Sequence, residues 1–222
     1  MTLLSLVRRL LRDRNAVAMT EFAFALPIVL PAGLFGVEMS NYGITQMRLN
    51  QAGIALADNA ARVGIDTTLA TQQIREVDVN DVLLGLRMQT GDMKVTQFGR
   101  VTVSSLEVNA DGGQWIHWQR CAGLRSGQGW DAADKEGAGK TGKSFPGMGN
   151  GGGRFVTAPP GSAVMYVEIN YEYQPLIPGF FVGERKLRTT SSFIVRDNRD
   201  LPSGVSNPAP SAKPSTCDLY TQ

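Results

Sequence analysis

Histidine, cysteine and net charge are all scarce in this chain. Its 222 residues include one histidine and two cysteines, which leaves little material for a zinc centre or for histidine-based catalysis. The formal net charge is only +2, so no global basic field points to nucleic acid or to an acidic substrate. Charge is also missing locally: after Glu21 no formal charge appears until Glu38. What is present is ordinary material for a core, 42% apolar and 19% charged residues. The length suits one domain plus an anchor, or two small domains.

The few early charges are unevenly placed. Arg8, Arg9, Arg12 and Arg14 crowd the first fourteen residues against a single acidic one, Asp13. The segment Ala16–Val37 that follows is 22 residues long, with Glu21 as its only charge. As a helix it would cover roughly 33 Å, against about 30 Å of bilayer hydrocarbon. Pro27 and Pro31 lie inside it, and membrane helices carry prolines because neighbouring helices can satisfy the freed carbonyls. Arginines on the N-terminal side put that end in the cytoplasm and everything after about residue 40 outside.

Three interpretations compete for this run. A secretory signal peptide has an h-region of about 7–15 residues and an A-x-A-like cleavage site; this run is longer and ends in "GLFGVEMSNYG". A plain signal anchor would merely tolerate Glu21 near the interface. A functional carboxylate would need a partner, because a charge at mid-bilayer costs about 2.5–3.5 kcal/mol on insertion scales. The natural partner is a positive charge at the same depth.

"NAVAMTEFAFALPIVLPAGLFGVEM" resembles the start of TadE/TadG-like proteins of tight-adherence pilus systems, a family related to type IV pilins. The family pattern is a short basic leader, a cleavage point, glutamate five residues on, then an aromatic and a "FALxxP" stretch. Matched by residue, Glu21 is that glutamate and Phe22 the aromatic. Phe24, Ala25, Leu26 and Pro27 form "FALP". The resemblance implies that a prepilin peptidase cuts between Ala16 and Val17, and that Glu21 pairs with the new α-amine. It implies other pilin subunits and the Tad assembly machinery as partners. It also implies insertion in a bacterial inner membrane with the C-terminal domain periplasmic. One departure is specific: such leaders end in glycine, and this one ends in Ala16. A weaker match falls at "VEINYEYQPLIPGF" (167–180) and "LRTTSSFIVRDN", which look like the family's two closing strands.

The remaining sequence points to an α+β fold of pilin-like plan, a long N-terminal helix against an antiparallel sheet of about four strands. Residues 1–16 form the basic leader. The helical pattern continues beyond the apolar run, through Met47, Leu49, Ile54, Leu56, Ala57, Ala60, Ala61 and Ile65, giving a helix over 17–66. Gly36, Gly43 and Gly53 argue for interruptions. An α+β domain then spans 67–197. In it, 67–92 predicts one or two helices, broken around Val77–Asn80 and ended near Gly91. The stretches 93–113 and 114–123 read as strands joined at Asp111-Gly112-Gly113, and Ala163–Gln174 and Arg185–Arg196 as two more. Residues 123–162 hold 12 of the 25 glycines and read as a long exposed loop without a core of its own. The tail, 198–222, has four prolines and reads as irregular.

In a periplasmic domain Cys121 and Cys217 are expected to form a disulfide, worth about 4–5 kcal/mol in the chain-entropy model. His117, on the same strand as Cys121, lies roughly 13 Å from it, too far for a catalytic dyad. "GAGKTGKS" (137–144) satisfies the P-loop expression, but it lacks the strand before and the helix after that would make amides and helix dipole converge on phosphate. It is read as a chance match, with no nucleotide, nucleic acid, metal or other cofactor expected. Trp115, Trp118 and Trp130 are read as core rather than as an adhesive surface. Arg120, Arg125, Lys135, Lys140, Lys143 and Arg154 are read as solubilising loop charges. No constellation supports an enzyme. The expected function is a minor pilin or pseudopilin-like subunit. The alternative is an uncleaved single-pass anchored periplasmic scaffold or receptor.

Overall fold

The computed structural model describes residues 7–8, 15–64, 71–151, 153–177, 182–183 and 185–221. Most of the basic leader, 1–6 and 9–14, lies outside them, as do 65–66 at the end of the expected helix. The fold is α+β. Helix α1, Asn15–Arg62, is followed by β1 (Ile74–Arg75), α2 (Glu76–Thr90), a 3-10 turn (Gly91–Met93) and α3 (Val95–Phe98). Then come β2 (Gly99–Val108), β3 (Gln114–Ala122), β4 (Met148–Gly151), β5 (Arg154–Val156), β6 (Val164–Glu172), β7 (Lys186–Ile194) and β8 (Val205–Ser206). The chain divides into two compact units, Met1–Gly43 with Pro175–Gly183, and Ile44–Gln174 with Glu184–Gln222.

The second unit is built on a four-stranded sheet of order β3-β2-β6-β7, antiparallel throughout. Side chains alternate between faces along each strand. Val101, Val103, Met165, Val167 and Ile169 share one face and are fully buried. Helix α1 covers this face, with Leu49, Ala52, Leu56 and Ala60 buried. A Cβ at Gly53 would sit 3.1 Å from Ser191 Oγ and 3.6 Å from Ile169 Cδ1. That glycine is therefore a close-packing position rather than an interruption, and α1 runs unbroken through Gly36, Gly43 and Gly53. The last turn of α1 is closed from the tail: Arg199 donates to the carbonyls of Ala60, Ala61 and Val63, satisfying groups a helix end leaves orphaned.

Helix α2 is not broken around Val77–Asn80. Asp78 accepts the Arg75 amide at 2.9 Å, and acidic residues in the first turn favour the helix dipole. Asn80 turns its side chain to the tail, donating to the Lys213 carbonyl at 2.9 Å, so it does not compete for helix backbone. The first strand of the hairpin begins at Gly99 rather than at 93, since 95–98 are helical.

The described residues of 123–162 are mostly exposed or half-buried, but the segment is anchored on the opposite face of the sheet. Met148 and Ala158 are buried in one cluster with Leu106, Ile116, Val164 and Tyr166, with Ala138, Phe145 and Val156 against it. Its backbone is tied down by side chains of the β2–β3 hairpin. Gln119 donates to the Asp134 carbonyl and accepts from the Glu136 amide, while Asn109 donates to the carbonyls of Gly139 and Gly142. Glycine lets the segment turn often enough to stay against the sheet; Gly139, at φ +73°, would drive a Cβ to 2.2 Å from the Gln114 carbonyl oxygen. The tail is irregular apart from β8, which pairs in parallel with β1.

Candidate functional site

The residues singled out at the N-terminus occupy the start of α1. Ala16 and Val17 are consecutive residues of its first turn. Val17 and Glu21 are four residues apart, which on a helix makes them neighbours on one face. Glu21 and Phe22 are both exposed, and Glu21 makes no hydrogen bond or ion pair among the described residues. The apolar side chains after it are exposed on every side of the helix, Phe24 to 79%, with Leu26, Ile28, Val29, Leu30, Phe35 and Val37 also open. The two prolines are accommodated without ending the helix. This is one helix long and apolar enough to cross a membrane.

Glu38, the first charge after the apolar run, is fully buried. Its Oε2 accepts the backbone amides of Leu176 and Ile177, each at 3.1 Å, within the first unit. Two amide donors offset the desolvation of a carboxylate.

At the far end of the chain, Cys121 and Cys217 form a disulfide. The surrounding contacts make a latch for the tail. The Cys121 amide donates to the Ser215 carbonyl and the Gly123 amide to that of Thr221, so the tail covers the outer edge of β3. Arg100, fully buried, donates to the carbonyls of Gly123, Cys217 and Leu219. Its Nε lies 3.3 Å from Asp131 Oδ1 and its guanidinium 4.3 Å above the Tyr220 ring. Burial lowers the Arg100 pKa, and Asp131 counters part of that shift. His117 does not face a thiol: its Nδ1 is 2.9 Å from Glu107 Oε2, whose other oxygen accepts from Ser105 at 2.7 Å.

Two of the charges read as solubilising are structural. Arg120 is buried and donates to both oxygens of Glu76, with Nε–Oε2 at 2.8 Å. Burial opposes the Arg120 charge, but the Glu76 carboxylate outweighs it and the guanidinium pKa is raised. Arg125 pairs with Glu172. Lys140, Lys143 and Arg154 are exposed. Of the tryptophans, Trp118 is buried, Trp115 is half-buried and stacks on His117 at 4.1 Å, and Trp130 lies beside Arg125 and Lys186.

The "GAGKTGKS" segment is a run of turns and bends, with Asn109 and Asp111 bound to its backbone. A cavity of about 370 Å³ opens between 133–134, 148–149 and the outer face of β6–β7, its polar lining residues being Asp134, Tyr166, Glu168, Arg188 and Thr190. Burial raises the Asp134 pKa against the pull of Arg188, while Glu168 is taken up by Arg188 at 3.1 Å. Among the described residues no group of three or more His, Cys, Asp or Glu is placed to hold a metal ion. In comparisons with known proteins, no family model, no curated protein and no solved structure matches this chain.

Proposed function

We propose that this protein is a minor pilin or pseudopilin-like subunit of a tight-adherence type pilus. In this proposal it is inserted in the inner membrane with its N-terminus cytoplasmic, and a prepilin peptidase cuts it between Ala16 and Val17. It then packs through α1 against other subunits, working as an assembly component rather than a catalyst. The observation that carries the proposal is the contrast between Glu21 and its surroundings. One carboxylate stands exposed in an otherwise apolar, outward-facing helix, one turn after the residue whose amine a cut at Ala16-Val17 would free. Lipid or other apolar helices must cover that surface. A carboxylate inside such a cover is strongly disfavoured unless a cation joins it. The α-amine of Val17, its own or a neighbouring subunit's, supplies one and sets axial register.

The test is Glu21→Ala in cells that assemble the pilus. The substitution is expected to leave membrane insertion intact and to lower incorporation into, or initiation of, the filament; normal piliation would refute the proposed role. A second reading, an uncleaved single-pass scaffold or receptor, is favoured by one observation, Ala16 where the resembled leaders carry glycine.

A further inference from the structure

The buried Glu38 raises a question that subunit packing through Glu21 does not answer. It stands one residue beyond the apolar run, where a helix leaving a bilayer meets water, and a carboxylate there is free to hydrate. Instead it is fully buried and spends its charge on the amides of Leu176 and Ile177. A charge-assisted pair of this kind fixes geometry as well as adding energy. What it fixes is an apolar turn, Pro175–Ile177, beside the C-terminal end of the apolar run. Leu176 is 59% exposed there, and Val37 and Met39 of α1 expose apolar surface at the same level. The sequence from Gln174 to Gly183 contains no charged residue, and Pro175–Gly183 belongs to the same compact unit as the membrane-crossing half of α1.

We propose that the turn Pro175–Ile177 is a second membrane contact, seating Leu176 among the phospholipids of the outer leaflet, with Glu38 as the residue that positions it. The proposal rests on the reading of α1 as a membrane span. An apolar side chain at the boundary of headgroups and acyl chains gains burial there, and the two backbone donors on Glu38 offset the cost of burying a carboxylate beside the hydrocarbon edge. The turn thus gives the subunit two attachments on the outer leaflet, the helix and the loop beside it.

The experiment uses the full chain reconstituted in phosphatidylcholine vesicles. The photoreactive residue p-benzoylphenylalanine replaces Leu176, Phe24 or Leu124 in separate preparations, and adducts are identified by mass after irradiation. Phe24 tests the span itself. Leu124, 43% exposed in the second unit, is the control. Lipid adducts are expected at 176 and 24 and not at 124. Adding Glu38→Ala is expected to deplete the adduct at 176 and leave that at 24. Lipid captured at 24 but not at 176 overturns the proposal while leaving the span intact. Capture of a second copy of the chain at 176, in place of lipid, overturns it and assigns the turn to subunit packing. No lipid at either position overturns the membrane reading and this proposal together. An adduct at 176 that is indifferent to Glu38→Ala overturns the positioning role of Glu38.

Discussion

Arg100, Arg120 and Arg199 are buried arginines whose partners lie far away in sequence: Leu219, Glu76 and Ala60 respectively. A buried charge is tolerated when its hydrogen bonds are made, and removing one partner leaves the other uncompensated. Arg120→Ala is therefore expected to cost about 3–5 kcal/mol of stability, measured by urea unfolding of the detergent-solubilised protein. Replacing Glu76 and Arg120 together by apolar residues of similar volume should cost far less. At the tail, Asp218 has a lowered pKa, first through the Thr216 hydroxyl, then its own amide and Arg100. A carboxylate whose folded pKa is depressed contributes stability above its unfolded value, about 4, and loses it as pH falls through the lower folded value. Protection of the tail from carboxypeptidase should thus weaken below about pH 4 in the native protein, and Asp218→Asn should remove that pH dependence.

Among the elements, the long helix, the hairpin of β2 and β3, and the strands β6 and β7 were legible in the sequence because each follows from local period and turn chemistry. The elements that depend on remote partners were not. The start of α2 is set by Asp78 reaching back to Arg75, and the anchoring of loop 123–162 by Gln119 and Asn109 of the hairpin. A glycine count cannot reveal either. Gly53 looked like a helix weakness and is a contact point with β7. Gly53→Leu is expected to destabilise by about 1–3 kcal/mol through overpacking, whereas Gly43→Leu, with open space around its Cβ, should leave thermal unfolding nearly unchanged. Of the candidate site, the carboxylate at Glu21 and the cysteine pair could be picked out from sequence. Glu38 was signalled only as the first charge after the apolar run, and its amide partners, more than 130 residues on, were invisible. The disulfide that holds the tail against β3 should contribute about 2–5 kcal/mol. Cys217→Ser is expected to lower the melting temperature and to make the segment after Asn198 sensitive to protease, read by mass spectrometry of limited digests.

As a whole molecule, the protein joins an exposed apolar half-helix to a sheet domain closed by its own tail. The domain seals one vulnerable edge: β3 is covered by residues 136–138 and by the latch of Cys217, Arg100 and Tyr220, which guards against strand pairing with other chains. The apolar helix, by contrast, is left uncovered, and a surface of that kind finds its complement in lipid or in other helices. In the proposed account, cleavage converts an anchored precursor into a subunit whose new α-amine and Glu21 carboxylate neutralise each other inside that complement. The claim is met most directly by the mass of the N-terminal peptide of the protein extracted from its native membrane. A mature chain beginning at Val17 is the predicted result; a chain that retains Arg8–Arg14 would contradict it and leave an uncleaved anchor.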